Sequence, residues 1–549
     1  MSLTAAVGAV AVIGAVSTGV AAASAGAGTR HSGGLELANV PTANTKSDGY
    51  APATKLSAGL AQVAVAQGST KLENRSALTS YYGYDNDVLN AAGQPQMLPT
   101  PASSTEAQKT EPDKNTYLVF PHSLPGAQHG YDYGTRFLFQ GHEGGVNGAS
   151  DITRINLDAD AAHRVTLLAT KDSKGQPIAP IDGSTWDPWA KRLLFTTEDE
   201  TAPIYAATPG FPATVTDISG ALGRGGYEGI QNDSAGDVWI VEDIGGPFKN
   251  GTTAKQPNSF IYRFVPATPG DLQHGKLQAL QVLNGAGRPI TFENQAALNS
   301  PNQVALHTYG RSFKTRWVTL HDTAADGTAP FDANVAAKAA HATPFKRPEN
   351  GQFQPGTGFG TFFFDETGDT DATSPENARA GGWGSVMKLT QGSPTAATGT
   401  LTMFYKSNKA HSAFDNVAFL SQDVVSFVED AGDTLHSQRN ALDSGYAFNT
   451  TVDYSNPANQ PVRWLAEGRD PSATIDSAFG GFGKNEGDNE ITGLHVSDGD
   501  PSPGGILGAK VPSLNDPRWR WFYTQQNGDN PTYEVLPAGG RTTGPAGDD

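Results

Sequence analysis

The chain of 549 residues contains no cysteine. Disulfide bonds, zinc–thiolate sites, iron–sulfur clusters and cysteine nucleophiles are therefore excluded by composition alone. Methionine is scarce, with 4 residues, and only 17% of the residues are charged. Glycine (64) and proline (36) are abundant instead, which is typical of many short strands joined by turns and argues against a helical bundle.

Positive charge is also in short supply, since 38 Lys and Arg stand against 56 Asp and Glu, for a formal net charge of −18. A surface of this sign repels nucleic-acid backbones and anionic lipids, so we predict neither as a partner. Hard cations prefer oxygen ligands, and a protein that gathers calcium tends to carry such an excess of carboxylates.

The N-terminal residues 1–28, MSLTAAVGAVAVIGAVSTGVAAASAGAG, form an apolar run that ends in small residues. This pattern is typical of a secretory signal peptide rather than a membrane span, so we expect a secreted, extracellular protein. No Lys or Arg precedes the run, which leaves the Sec and twin-arginine export routes both open. We further expect a lead-in with the first strands over 29–115, a catalytic domain over 116–536, a disordered tail over 537–549, and a monomer.

Short runs of β-branched and aromatic residues recur along the chain, each bounded by Gly, Pro, Asn or Asp. Helical periodicity is weak, and its best stretch, around 332–340, is short. Many strands with few helices indicate a sandwich, a barrel or a propeller. The predicted strands are 116–120, 136–140, 152–157, 192–197, 237–243, 260–265, 316–320, 361–365, 401–405, 424–430 and 520–526.

A recurring unit of turn residues, strand and acidic pair favours an all-β propeller among these folds. It occurs as NDSAGDVWIVED at 232–243, as SQDVVSFVED at 421–430, and more loosely as DPWAKRLLFTTED at 187–199. Similar units at separate places along one chain are typical of propeller blades, although this repeat is too degenerate to count them.

The sequence lacks a G-x-S-x-G elbow, a G-x-x-x-x-G-K-[ST] loop and an H-E-x-x-H helix, and its 12 His have no zinc-site spacing. Acidic residues at strand ends remain as the candidate chemistry. Any single one is commonly a turn former or a solvated charge, but blade ends meet around one channel, where several carboxylates would need cations. The candidate metal ligands of this kind are Glu143, Glu198, Asp199, Glu228, Glu349, Asp415 and Glu490.

A phosphate ester suits such a centre, because metal ions neutralise phosphoryl oxygens and activate water without a serine nucleophile. Arg347 would bind the phosphate with two parallel hydrogen bonds, and Lys346 would act as a point charge. The amide oxygen of Asn416 could complete a cation's shell. An ordinary surface salt bridge is the alternative role for the Lys346–Arg347 pair.

Several motifs occur in an order that resembles the PhoX-like alkaline phosphatase family. They are YEG at 227–229, IYRFVP at 261–266, RPE at 347–349, FDN at 414–416, E-x-T-G at 490–493 and WFYTQQNGDN at 521–530. The resemblance implies a six-bladed β-propeller, usually exported by the twin-arginine route, that hydrolyses phosphate monoesters at a cluster of iron and calcium ions. It further implies iron-site carboxylates at Glu228 and Glu349, calcium ligands at Asp415 and Glu490, and phosphate contacts at Arg347 and Asn416.

One departure from the family concerns the iron. The resemblance implies an iron-bound cysteine thiolate just upstream of the first acidic strand end, and this chain has no cysteine. Asp182, in APIDGSTWDPWAKRLLFTTEDE at 179–200, is the nearest replacement. A carboxylate in place of a thiolate shifts the preference toward calcium, magnesium or manganese.

Three functions follow from these observations. The first is a secreted phosphatase that depends on calcium, with iron as a further candidate cofactor, and that acts on a small phosphoester. The second is a phytase-like calcium-dependent propeller, which GGYEGIQNDSAGDVWIVEDIGGPF at 225–248 also resembles. The third is a non-catalytic propeller that binds a partner or a carbohydrate, in which calcium holds the blades together and closed coordination leaves no open site.

Overall fold

The computed structural model describes residues 36–46, 53–97, 106–248, 254–293, 300–369, 379, 381–468, 490–526 and 528–538. The predicted signal peptide lies outside these ranges, as does the predicted tail at 537–549 apart from its first two residues, of which Pro537 ends a strand. Within them, no helix is both long enough and apolar enough to cross a membrane.

The described chain consists mainly of short strands. The first fourteen are β1 (Lys55–Leu56), β2 (Leu60–Ala66), β3 (Thr79–Tyr81), β4 (Tyr84–Asp85), β5 (Thr116–Val119), β6 (Arg136–Gly141), β7 (Ile152–Asn156), β8 (Val165–Ala169), β9 (Ser184–Asp187), β10 (Arg192–Phe195), β11 (Tyr205–Ala207), β12 (Val215–Asp217), β13 (Tyr227–Asn232) and β14 (Val238–Glu242). The others are β15 (Ile261–Pro266), β16 (Gly275–Val282), β17 (Ser312–Asp322), β18 (Gly351–Phe353), β19 (Thr361–Glu366), β20 (Ser385–Gln391), β21 (Thr398–Lys406), β22 (Phe414–Phe419), β23 (Val424–Glu429), β24 (Ser444–Asn449), β25 (Val462–Ala466), β26 (Ile491–Ser497), β27 (Arg520–Gln525) and β28 (Thr532–Pro537). Every strand predicted from the sequence overlaps one of them.

Helices in the described chain are few and short. They are α1 (Ser219–Leu222), α2 (Pro301–Leu306), α3 (Thr323–Asp326), α4 (Ala333–Ala339) and α5 (Gly432–Arg439). The weak helical stretch that the sequence indicated at 332–340 is α4, which the side chain of Asp332 caps by accepting a hydrogen bond from the amide of Val335.

Consecutive strands pair antiparallel into sheets. β5–β8 and β9–β12 each form a four-stranded sheet, β22–β25 with β1 a five-stranded one, and β13–β21 a nine-stranded one, in which the long strand β17 joins β16 to β21. The last sheet, β26–β28, is completed by β2, which pairs with β28. The N-terminal segment thus closes the molecule on its C-terminal strands.

Six strands, which we call the inner strands, form a ring: β5, β9, β13, β18, β22 and β26. Each contacts the next, and β26 contacts β5. A closed ring of antiparallel sheets is a β-propeller, so the predicted all-β propeller is confirmed. Six blades stays a prediction, because β17 fuses two sets of strands into one continuous sheet.

Apolar side chains pack between neighbouring sheets and form the core. A buried apolar cluster lies between each inner-strand sheet and the next around the ring. Trp464 of β25 and Trp521 of β27 have ring centroids 4.4 Å apart, and Trp239 and Phe362 join β14 to β19 at 5.0 Å. This packing orders the sheets radially and directs the ends of their strands toward one site.

Candidate active site

The candidate site lies where the inner strands begin. The second strand of each sheet, β6, β10, β14, β19, β23 or β27, runs antiparallel to its inner strand, so its end lies beside that strand's start. Residues at the starts of inner strands are Asp113, Lys114, Asp182, Glu228, Glu349, Asp415 and Glu490. Residues at the ends of second strands are Glu143, Glu198, Asp243, Asp365, Asp430 and Gln526. One end of the ring therefore collects carboxylates from widely separated parts of the chain.

These carboxylates form three triads whose oxygen atoms lie within 4.8 Å of one another in each triad. The first triad is Asp113, Glu143 and Asp182; the second is Asp182, Glu198 and Glu228; the third is Glu228, Asp243 and Glu349. Since Asp182 and Glu228 each belong to two triads, the three form one linked row.

β-Bulges aim several of these side chains. The pairing register shifts between Tyr227 and Ile230 on β13, between Phe414 and Val417 on β22, and between Thr492 and His495 on β26. Each shift lies at or beside a residue of the site. A bulge bends its strand and redirects a side chain, which explains how inner strands with buried faces present polar groups at this end.

Cationic side chains, Arg347 and Lys114 among them, lie among the carboxylates. Arg347 donates from Nε and Nη2 to the two carboxylate oxygens of Asp243, at 2.9 and 2.7 Å, and its Nη2 lies 3.5 Å from Oε1 of Glu349. Lys114 donates from Nζ to Oδ1 of Asn416 at 2.7 Å and to the carbonyl of Leu494 at 3.2 Å. Arg347 has φ +57°, a strained conformation for a residue other than glycine.

Several carboxyl groups of the cluster have raised pKa values, because they are held out of water and close to one another. Burial raises the pKa of Asp182, Glu228 and Glu349 well above their ordinary ranges, and neighbouring carboxylates add to the rise. Desolvation and the carboxylate of Asp243 raise the pKa of Glu198 to about 7, although Glu198 is the one triad member with an exposed surface among the described residues. Such a set of carboxylates is costly without compensating positive charge.

Oxygen-binding cations fit this donor set. The buried atoms Oδ1 of Asp182, Oδ2 of Asp365 and Oδ1 of Asn350 have no hydrogen-bond partner among the described residues. Calcium takes six to eight oxygen ligands of these types in flexible geometry. An iron site that requires a thiolate does not fit, because the chain has no cysteine.

The structure brings most of the residues predicted from the sequence together. Glu143, Glu198, Glu228, Glu349 and Asp182 lie in the triads. Asp415 and Glu490 lie beside them, since their carboxylates raise the pKa of Glu228 and Glu143, respectively, behind the larger effect of burial.

Two predicted residues lie apart from the cluster. Asp199 caps its own turn, where its Oδ1 accepts hydrogen bonds from the amide and hydroxyl of Thr201 at 2.7 and 2.8 Å. Lys346 is fully buried in an ion pair with Asp369 at 2.6 Å, so its ammonium is not presented to a substrate.

Asn416 is in the cluster, but its amide is engaged within the protein. Its Nδ2 donates to both oxygens of Asp415, at 2.6 and 2.7 Å, and to Oγ1 of Thr492 at 3.0 Å, while its Oδ1 accepts from Lys114. This arrangement makes Asn416 a connector between the lysine and the carboxylate.

Sequence analysis missed Asp113, Lys114, Asp365 and Asp430, and it noted Asp243 as a strand-end acid without assigning it to the site. Asp243 and Asp430 close the two clearest copies of the recurring strand unit, and that shared position was the signal that could have found them. Asp113 and Lys114 carry no such signal, because they precede the first inner strand outside any repeat.

Comparisons with known proteins bear on the fold and the family. The family model of alkaline phosphatase PhoX matches residues 252–500. The chain is similar in structure to Pseudomonas fluorescens PhoX in complex with vanadate, a transition state analogue, with a TM-score of 0.54 and 11% identity over 92% of this chain and 99% of that chain. Matches to a family AA12 carbohydrate-active enzyme of Trichoderma reesei (TM-score 0.25, 13% identity, 69% of this chain and 95% of that chain) and to Sqt1 of Chaetomium thermophilum (0.29, 10%, 78% and 99%) are weaker. No curated protein matches the sequence.

Proposed function

We propose that the chain is a secreted member of the PhoX alkaline phosphatase family, a phosphoric ester hydrolase that acts on phosphate monoesters with the help of bound calcium; the family match over residues 252–500 and the similarity in fold to a PhoX structure support this proposal. The observation that carries this proposal is the linked row of three carboxylate triads beside Arg347. The row offers oxygen ligands for several cations, and the guanidinium offers an anion contact at its edge.

Arg347 has the geometry of a phosphate-binding residue. Asp243 engages its Nε and Nη2, which fixes the plane of the guanidinium and leaves Nη1 outside these bonds. The side chain keeps 19% of its surface exposed, so a phosphoryl oxygen can reach it. A fixed, permanently charged donor stabilises the negative charge that develops on the phosphoryl group in the transition state.

Lys114 has the role of a positive charge in the site, which the sequence analysis assigned to Lys346. Its ammonium is held by Asn416 and by the carbonyl of Leu494, which leaves one N–H for a further acceptor. Burial lowers the pKa of Lys114, while Asp415 and other nearby carboxylates oppose that shift. We assign it to the stabilisation of negative charge inside the cluster, whether on Asp415 or on a bound phosphate.

The triads would hold cations through Asp113, Glu143, Asp182, Glu198, Glu228, Asp243 and Glu349. Bound divalent cations would neutralise phosphoryl oxygens and lower the pKa of water, so no side-chain nucleophile is required. The side chains of the protein orient these groups, and Arg347 positions the ester beside them.

Chelation tests the proposal directly. We expect the purified mature protein, which begins after the predicted signal peptide at residues 1–28, to contain several calcium ions by elemental analysis and to hydrolyse p-nitrophenyl phosphate. EDTA should abolish hydrolysis, and calcium should restore it. Calcium that is bound tightly without hydrolysis of any phosphoester would favour the non-catalytic propeller, and a protein that binds no metal would overturn the assigned site.

Substrate class and export have separate tests. Parallel assays with phytate and with simple monoesters decide between the phytase-like alternative and the proposed activity, since the phytase-like alternative predicts faster turnover of phytate. For export, we expect the mature protein in the culture medium with an N-terminus near residue 29. Recovery of the intact 549-residue chain from the cell interior alone would contradict secretion.

A further inference from the structure

We infer that Asp182 is a shared ligand that joins two neighbouring cation positions, and that the centre it builds takes hard divalent cations such as calcium or manganese in place of a thiolate-bound iron. This inference deepens the proposed function, on which it rests for the premise that the cluster binds cations. It concerns which cations bind and which residue selects them.

The position of Asp182 within the row carries the first part. Its carboxylate lies within 4.8 Å of those of Asp113 and Glu143 in the first triad, and of those of Glu198 and Glu228 in the second. A carboxylate has two oxygens and can ligate a different cation with each. Asp182 is the residue common to the first and second triads, so a cation in either would use it.

Burial supplies an independent observation. Asp182 is 2% exposed, and its Oδ1 has no hydrogen-bond partner among the described residues. A buried carboxylate oxygen without a donor is costly, and a cation relieves that cost directly. The unpartnered oxygen lies within a group of side chains that offer oxygen lone pairs, which is the setting of a metal ligand.

The local backbone holds Asp182 against Glu228. The amide of Asp182 donates to the carbonyl of Thr196 at 3.2 Å, and the amide of Thr196 donates to the carbonyl of Gly183 at 3.0 Å. The hydroxyl of Thr196 in turn donates to the carbonyl of Glu228. A Cβ on Gly183 would overlap that same carbonyl, so glycine permits the close approach of the two inner strands.

The preference of the centre for hard divalent cations follows from the chemistry of its ligand atoms. The three triads contain carboxylates alone. Among the described residues, one further group of possible metal ligands contains a histidine, and it consists of His436, Asp443 and Glu467, none of which belongs to the three triads. Carboxylate oxygens suit calcium, magnesium and manganese, whereas thiolates favour softer metals and iron–sulfur chemistry. A site without sulfur therefore lacks the thiolate that would favour iron over calcium, and its oxygen donors suit the hard cations.

Cobalt binding to the full-length protein tests the ligand assignment without reference to activity. In Asp182→Cys, we expect added Co²⁺ to produce a near-ultraviolet thiolate-to-metal charge-transfer band, because the new sulfur lies among metal ligands. Asp326→Cys is the matched control, since the side chain of Asp326 is 53% exposed and lies outside the cluster, and we expect no band. A folded Asp182→Cys protein that binds Co²⁺ without the band would overturn the assignment.

Two further measurements keep the inference open to refutation. If Asp182→Cys fails to fold, calcium titration of Asp182→Asn provides the test. We expect the calcium affinity of both cation positions that share Asp182 to fall by at least about 10-fold relative to the wild type. A lower affinity at one position only, or at neither, contradicts the shared ligand. After incubation with equal Fe²⁺ and Ca²⁺ and exhaustive dialysis, the iron-to-calcium ratio retained by Asp182→Cys should exceed that of the wild type by at least about 10-fold.

Retention of iron by the wild type at the level of Asp182→Cys would overturn the selectivity. The outcomes also separate this inference from the proposed function. If the wild type binds calcium through the expected ligands but hydrolyses no phosphoester, the proposed phosphatase function is wrong and the inference about Asp182 stands. If the wild type hydrolyses phosphoesters but Asp182 proves not to be a ligand, the inference is wrong and the proposed function stands.

Discussion

At the scale of single residues, the property that distinguishes the site is that buried carboxylates outnumber the cationic side chains beside them. Glu349 illustrates it, because its amide donates to Asp365 and its carbonyl accepts from Gly229 at 2.7 Å, so the backbone fixes where the carboxylate points. Its side chain is 4% exposed and lies beside Asp243 and Arg347. Removing its charge alters the cluster without altering the fold.

We expect Glu349→Gln to lower the turnover of p-nitrophenyl phosphate by at least about 100-fold and to lower calcium content, because an electrostatic group and a ligand are lost together. Without metal, the same variant should melt at a higher temperature than the metal-free wild type, since one repelling charge is gone. Asp326→Asn, on an exposed carboxylate outside the cluster, is the control and should change neither quantity. Unchanged turnover and metal content in Glu349→Gln would contradict its assigned role.

A second residue-scale prediction concerns Asp237, in the turn between β13 and β14. Burial and the neighbouring Asp233 raise its pKa to about 7, and its Oδ2 has no hydrogen-bond partner among the described residues. A carboxyl group whose folded-state pKa is raised costs stability progressively as the pH rises from its unfolded value near 4 to about 7.

Asp237→Asn removes that cost, so we expect little change in the free energy of unfolding at pH 4 and a gain on the order of 2–4 kcal/mol at pH 8. Denaturant unfolding of the calcium-loaded protein at the two pH values measures the difference. An equal effect at both would show that Asp237 does not titrate in this range.

At the scale of elements, the bulges on the inner strands decide where the site forms. On β26, Gly493 has φ +64°, and its carbonyl accepts a hydrogen bond from Nδ2 of Asn115 at 2.6 Å. A Cβ there would lie 2.5 Å from that nitrogen and 2.7 Å from Oγ1 of Thr524. The preceding Thr492 donates its hydroxyl to Asp113, so the bulge and the first triad are mechanically connected.

Gly493→Ala should therefore lower the free energy of unfolding by about 1–3 kcal/mol and weaken calcium binding, because the positive φ and the crowding both oppose a side chain. Urea unfolding and calcium titration measure the two effects. Gly392→Ala is the matched control, since nothing lies within 4 Å of a Cβ there, and it should be neutral. Equal stability of the two variants would contradict the constraint at the bulge.

At the scale of the whole molecule, the ring is closed by strands from opposite ends of the chain. β2 pairs along β28, and β1 pairs with β25. Without them, β28 would present an unpaired edge and the last sheet would lose its fourth strand. The segment expected as a lead-in thus takes part in ring closure.

Deletion of residues 1–66 should lower the melting temperature by about 10 °C or more, or abolish cooperative unfolding, because ring closure is lost. Deletion of residues 1–35, which spares β1 and β2, is the control and should leave the transition in place. Calorimetry of the two truncated proteins decides, and a normal transition in the longer deletion would show that closure does not depend on β2.

Much of the architecture could be predicted from local sequence. The eleven predicted strands correspond to observed ones, since β-branched and aromatic runs between turn residues depend on neighbouring positions alone. The pairing of β17 with β21 and the bulges were out of reach, because they depend on contacts between strands. The same limit applies to the candidate site. Glu228 and Asp415 could be predicted because they stand in recognisable motifs, whereas Asp113 could not, because it belongs to the site through its contact with Asp182, which is distant in sequence.

The sequence by itself determined that the protein is rich in strands, that its surface is acidic, and that no thiolate can ligate a metal, because composition and local pattern suffice for each. Only the tertiary structure decided which carboxylates converge, that Lys114 and not Lys346 lies among them, and that Asp182 stands between two triads. The physical reason is that ring closure brings together strand ends hundreds of residues apart, and burial there raises the energy of every unpaired charge.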